Sequence, residues 1–266
     1  MTLLLFFTFL LIILTVLFIF KNKIKYSIIA YISYLLQEYL KSRRPKRIIL
    51  VRNGTSESNG NYDLLKTVPD NKIHLTKEGI EDAKRAGRKI KEIIKDESVR
   101  FYVSPYQRTK ETYEYILQEL KGNKYTIQYH PSLRGQEYGN FQSDMKEQFE
   151  KQKKVGVLYY RFRDGQSGND VATETSIFLA NLFREYSSFD YEQCDNAILV
   201  THSLTIQFFI LNFFKLPIEE YDKFRLPDCG EVFVLEKNEN GRYHLLDDIY
   251  LPQYKDEVKR IKSIKI

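Results

Sequence analysis

The order of apolar and polar positions changes character along the chain. Thr2 to Phe20 is an uninterrupted run of 19 uncharged residues, made of Leu, Phe, Ile, Val and three Thr. A helix rises about 1.5 Å per residue, so this length matches the roughly 30 Å hydrocarbon core of a bilayer and predicts a transmembrane anchor over residues 1–20. From Ile24 the spacing becomes helical and one-sided, through Ile28, Ile29, Ile32, Leu35, Leu36, Tyr39 and Leu40. Residues 21–46 therefore read as a basic amphipathic helix and linker, lying on the bilayer, packing on the domain or continuing the anchor. Pro45 marks the boundary of the next unit.

Beyond it, a grammar of short apolar strand, polar turn and helix repeats. Arg47–Val51 leads into Arg52-Asn53-Gly54-Thr55-Ser56, Arg100–Val103 into Ser104-Pro105 and a helix from Tyr106 to Leu120, and Ala197–Val200 into Thr201-His202-Ser203 and a helix from Leu204 to Phe214. Strands that are apolar throughout belong to sheets covered on both faces. The pattern predicts a three-layer α/β/α domain over 47–252 with a mainly parallel central sheet. Thr76 is the expected N-cap of a further helix reaching about Lys95, and Val232–Glu236 with Tyr243–Leu246 reads as a closing hairpin. Residues 253–266 form a basic tail.

Charge sharpens this division. The chain carries +6, yet residues 21–47 hold eight cations against the single anion Glu38, so the remainder sums to −1. A nearly neutral domain argues against nucleic acid as a partner, and the basic stretch points to a membrane surface. No cation precedes the apolar run and Lys21-Asn22-Lys23 follows it, which favours a single-pass anchor over a cleaved leader and places the domain in the cytosol. Cys194 and Cys229, with no metal-type spacing around them, read as two reduced thiols.

Ligands of such sheets bind at the carboxyl ends of the strands. Arg52, Arg108 and His202 all fall there, in or just beyond three separate turns. Two guanidinium groups, an imidazole and helix N-termini make a pocket for a tetrahedral oxyanion. His74, His130 and His244 have no partner at ligand spacing; His74 reads as part of the segment before the next helix, and the other two as surface or strand residues.

These residues sit in motifs that resemble the histidine phosphatase superfamily, the phosphoglycerate mutase-like group, and most of all its broad-range acid phosphatase branch of fungi and plants. Leu50-Val-Arg-Asn-Gly-Thr-Ser-Glu-Ser-Asn59 is similar to the opening Arg-His-Gly-Glu stretch. Pro69-Asp-Asn-Lys-Ile-His-Leu-Thr-Lys-Glu-Gly79 resembles the lead into the first helix, and Ser104-Pro-Tyr-Gln-Arg-Thr-Lys-Glu-Thr112 fits Ser-Pro-x-x-Arg-x-x-x-Thr. Leu133-Arg-Gly-Gln-Glu-Tyr-Gly-Asn-Phe-Gln142, Gly165-Gln-Ser167 with Asp170-Val171, and Val200-Thr-His-Ser203 follow in the expected order.

The resemblance implies a phosphoglycerate mutase-like fold without metal or cofactor. In it a first histidine attacks phosphorus, two arginines and a second histidine hold the oxygens, and a glutamic acid protonates the leaving group. Carried over, Arg52, Arg108 and His202 are the phosphate ligands and Asn59 a further phosphate contact. Asn53 stands at the nucleophile position and Gly135 at the proton donor, while Thr55 and Gln166 replace family glutamates. A carboxamide nitrogen has a delocalised lone pair and forms no stable phosphoenzyme. Glu137, two residues past Gly135, is the candidate substitute acid. The four departures make the expected pocket more positive. The leading expectation is a membrane-anchored pseudophosphatase that holds a phosphate-containing small molecule or a phosphoprotein. An active phosphomonoesterase using rearranged chemistry, with His202 as nucleophile, and an interaction module working at the membrane are the alternatives.

Overall fold

The computed structural model describes residues 2–257, with side chains from Thr8 to Tyr254; residues 258–266 of the expected tail lie outside the described residues. The chain divides into two compact units, Met1–Arg44 and Pro45–Ile266.

The first unit is one helix, α1 (Thr2–Ser42). The two segments separated in the sequence at Lys21 are continuous, so the second carries on the first. Ile24, Ile28, Ile29, Ile32, Leu35 and Leu36 are all exposed along it. Among the described residues no helix is long and apolar enough to cross a membrane, and the side chains of residues 1–7, which open the apolar run, are outside that description. Of the eight cations counted above, Lys46 and Arg47 belong to the second unit. Lys46 Nζ lies 2.9 Å from both Glu97 and Asp195, and Arg47 pairs with Glu97 at 2.7 Å and Glu236 at 3.0 Å.

The second unit is built on β1 (Arg47–Arg52), β2 (Val99–Val103), β3 (Tyr125–Tyr129), β4 (Asn196–Thr201), β5 (Val232–Lys237) and β6 (Tyr243–Leu245). Their order is β3-β2-β4-β1-β5-β6. β3, β2, β4 and β1 run parallel, while β5 and β6, the expected hairpin, are antiparallel, which makes the sheet mixed.

Alternation along the central strands supplies both faces. Ile48 and Leu50 of β1, with Ala197 and Leu199 of β4, pack with Phe178, Leu182, Ile206 and Phe209 from α5 (Gly168–Ser187) and α6 (Ser203–Phe213). Ile49, Val51, Ile198 and Val200 face the other way, onto Ile90 and Ile116 of α2 (Lys77–Ile94) and α3 (Gln107–Glu119). The period of two in strands, with both faces covered, is why the sequence is apolar at every position there. Helix α4 (Met145–Val155) belongs to a smaller cluster in which Leu65, Ile73, Met145 and Phe162 pack with Tyr138 and Phe149. The edge strand β3 was not expected: its side chains are almost all exposed, so it lacks the continuous apolar run of its neighbours.

Two family-like motifs have plain structural work. Thr76 caps α2, accepting from the Gly79 amide at 3.0 Å. Ser167 and Asp170 form the capping box of α5, with the Ser167 amide donating to Asp170 at 2.7 Å. Gly79 also passes against the turn after β1. A Cβ there would sit 2.0 Å from the Thr55 carbonyl oxygen, and one on Gly54 would sit 2.2 Å from that of Gly79. Alanine normally stabilises a helix position over glycine by about 1 kcal/mol. Gly79→Ala is expected to do the opposite, lowering unfolding free energy by about 1–3 kcal/mol through overpacking, as read by denaturant titration.

Candidate functional site

Register places the site. Arg52, the last residue of β1, pairs with Thr201 of β4, and Val103 of β2 pairs with Val200. The next residues continue the ladder, Asn53 donating its amide to the Thr201 carbonyl at 2.9 Å and Ser104 to that of Val200 at 3.0 Å. Asn53, His202 and Ser104 therefore lie side by side at the ends of three adjacent strands, with His202 between. Arg108 follows in the first turn of α3.

Arg52, Asn53, Asn59, Arg108, Gly135 and His202 line one cavity of about 410 Å³. Tyr62, Leu65, Tyr138 and Phe149 add an apolar and aromatic wall from the smaller cluster, with the Tyr62 and Phe149 rings 4.4 Å apart. The predicted phosphate ligands Arg52, Asn59, Arg108 and His202 are thus brought together, and Asn53 and Gly135 line the same cavity.

Each group has its own partner. The Arg52 guanidinium donates to the Pro227 carbonyl. Asn53 is buried and its carboxamide donates to the Gly54 carbonyl at 2.8 Å. Asn59 Oδ1 accepts from the amide and hydroxyl of Ser56 at 2.8 and 2.7 Å, so part of its capacity shapes its own turn. His202 Nε2 lies 2.9 Å from Ser104 Oγ, and Tyr106 meets the ring edge-on at 5.3 Å. Burial, with Arg108 and then Arg52 nearby, holds the His202 imidazole well below the ordinary histidine range, so it is neutral.

Gly135 is set over that ring by two threonines, Thr201 Oγ1 donating to Leu133 O at 2.5 Å and Thr205 Oγ1 to Arg134 O at 3.0 Å. A Cβ on Gly135 would stand 3.1 Å from His202 Cγ and 3.2 Å from Nδ1. The position therefore lacks a carboxyl group and is also closed down against its neighbour.

The other candidates fall outside the cavity. Glu137 is paired with Arg134 at 3.0 Å and lines an adjoining cavity of about 350 Å³. Thr55 donates to Asp82 at 2.7 Å, and Gln166 donates to Glu174 at 2.9 Å while accepting from the Glu137 amide at 3.1 Å. Neither lines the cavity, so the expectation that all four departures add to its positive charge is corrected. In place of a bare Arg108 the structure shows Asp70, whose carboxylate faces the guanidinium at 2.9 and 3.3 Å and whose carbonyl accepts at 2.7 Å. Sequence reasoning gave Asp70 no role, although its motif was in view. His74 is exposed with Nδ1 2.5 Å from Glu111, His130 accepts from the Ser132 amide at 3.2 Å, and both cysteines are free thiols.

Residues 48–248 match the family model of the histidine phosphatase superfamily (branch 1). The chain belongs to the histidine phosphatase superfamily. The phosphoglycerate mutase-like protein AT74 of Arabidopsis thaliana is 35% identical over 216 residues, covering 76% of this chain and 68% of that one. The broad-range acid phosphatase DET1 of Saccharomyces cerevisiae is 26% identical, over 80% of this chain and 91% of its own length. An alpha-ribazole phosphatase from Shigella flexneri shares the fold, with a TM-score of 0.58 at 17% identity across 77% of this chain and 95% of that one.

The neutral His202 has a consequence for stability. Its folded proton affinity lies below that of the unfolded chain, so below pH ~6.5 the unfolded state binds the extra proton and stability falls as pH falls. Denaturant titrations are expected to show a loss approaching 1.4 kcal/mol per pH unit between about pH 6.5 and 5 from this group. In His202→Gln that slope should shrink to the part left by His130, whose affinity burial also lowers. An unchanged slope in the variant would show His202 to be protonated in the folded chain.

Proposed function

We propose that this domain is a pseudophosphatase, which holds a phosphorylated small molecule or phosphoprotein in the Arg52–Arg108–His202 cavity without turning it over. The observation that carries this reading is the pairing of a buried carboxamide at Asn53 with the absent side chain at Gly135, in a cavity that keeps its cationic and imidazole groups. Asn53 can hydrogen-bond a phosphoryl oxygen but offers no nucleophilic nitrogen. The missing acid removes another ~10²–10⁴-fold. The wall of Tyr62, Leu65, Tyr138 and Phe149 suits a ligand whose phosphate is carried on an apolar or aromatic body.

Helix α1 is the membrane anchor in this reading, with residues 2–20 in the bilayer, the basic residues that follow at its inner surface and the domain in the cytosol. The Thr15 hydroxyl donates to the Leu11 carbonyl at 2.8 Å, which meets its hydrogen-bonding need without water.

A second reading, an active phosphomonoesterase, draws on the relative named as a broad-range acid phosphatase. It makes His202 the nucleophile, although Nε2 is engaged by Ser104 and Nδ1 lies beside Gly135. The discriminating assay uses the full chain in detergent with para-nitrophenyl phosphate and radiolabelled phosphoryl donor. The wild type should bind vanadate, show no turnover and trap no label, while Arg108→Ala loses binding and Asn53→His acquires a labelled histidine. Robust wild-type turnover, with label mapped to His202, would establish the second reading. Gly135→Glu is the poorer reversion, because its Cβ requires the His202 ring to move.

A further inference from the structure

Asp70 is the one carboxylate on the wall of the anion cavity, and it also lines the adjoining cavity with Asn71, Tyr106 and Asn140. Both Asp70 and Arg108 are buried, at 8% and 7% exposure. Two carboxylate oxygens oppose two guanidinium nitrogens, the planar two-point geometry in which arginine grips a carboxylate or a phosphate. The Arg108 face is further stacked over the Tyr106 ring at 4.9 Å, which fixes its plane. A phosphoryl group approaching Arg108 therefore meets a nitrogen pair already filled by an oxyanion.

Resting on the reading of this cavity as an anion site, we infer that Asp70 is a specificity-determining residue, a tethered competitor whose carboxylate occupies the phosphate place on Arg108. It lowers the net positive charge of the cavity from two guanidinium groups to one. A ligand must bring enough contacts to displace it, so inorganic phosphate binds weakly and a ligand that also fills the aromatic wall binds well. The displaced side chain has somewhere to go, because the adjoining cavity of about 350 Å³ opens on its other side. The short 3-10 turn Asp70–Lys72 is held from the domain by Asn140, whose Oδ1 accepts from the Asp70 amide at 3.4 Å. The turn can stay in place while the side chain swings.

The test is calorimetric titration of the full chain in detergent with inorganic phosphate and with vanadate. Wild type, Asp70→Asn, Asp70→Ser and Arg108→Ala are compared, with folding of each followed by circular dichroism. Asp70→Asn keeps the shape and removes the charge, and is expected to bind both anions at least ~tenfold more tightly, the scale of a lost charged hydrogen bond. Asp70→Ser, which also shortens the side chain, should tighten binding in the same direction, and Arg108→Ala should abolish it. If wild type binds and the folded Asp70 variants bind equally or more weakly, the competitor role is overturned while the anion site stands. If no folded variant binds either anion, the anion site itself is overturned together with this inference.

Discussion

The in-register pairing of three parallel strands governs everything chemical in this domain. Arg52 opposite Thr201 and Val103 opposite Val200 bring β1, β4 and β2 to an end within one residue of the same level. Two further amides then carry the ladder one residue past the strands, so Asn53, His202 and Ser104 emerge together. Neighbouring strands are about 4.8 Å apart, so the three side chains at their ends stand within reach of one another. A slip of one residue would turn each strand over and send the apolar set of one face to the other. The two packed faces forbid that slip, since Ile48 and Leu50 already fill one layer while Ile49 and Val51 fill the opposite one. The core thus fixes the site by denying the strands any other register.

What could be read in advance follows from this logic. Ile48–Val51, Phe101–Val103 and Ala197–Val200 are apolar throughout because both faces are covered, and their turns could be located to within a residue. The Thr76 cap is a local hydrogen bond with a local signature. β3 carried no such signal, because an edge strand with solvent around it needs no apolar run. The partner of Arg108 was hidden for another reason: Asp70 lies 38 residues earlier, and only the tertiary fold brings the two together. Thr55 and Gln166 were misjudged in the same way. Their positions in the motifs suggested lost charge in the cavity, whereas each reaches a carboxylate outside it, Asp82 and Glu174. A glutamate at either place would face like charge.

The motif around Asp70 shows how structural and chemical demands overlap in one short stretch. Within residues 69–79 it supplies the counter-charge of Arg108, the cap of α2 and the glycine that lets the turn after β1 pass. Losing any one of these would move the others, since Gly79 lies against Thr55, and Thr55 adjoins the Asn53 turn. Such a stretch serves the fold through Thr76 and Gly79 whatever Asp70 does in the cavity. Its presence is therefore evidence of the scaffold rather than of turnover.

The frame of the cavity does not depend on the side chains at positions 53 and 135, because other atoms carry it. The Asn53 turn is held by its backbone, through its amide on Thr201 and the Gly54–Gly79 crossing, and nothing in that frame requires an imidazole. The segment through Gly135 is held by Thr201 and Thr205 through the carbonyls of Leu133 and Arg134, which spare the side chain at 135. The ligand-holding groups differ, since their charge must be balanced inside the fold. Arg52 leans on a carbonyl, Arg108 on Asp70, and His202 sheds its proton. In a cavity satisfied in this way, affinity for an anion depends on exchanging internal partners for those of the ligand.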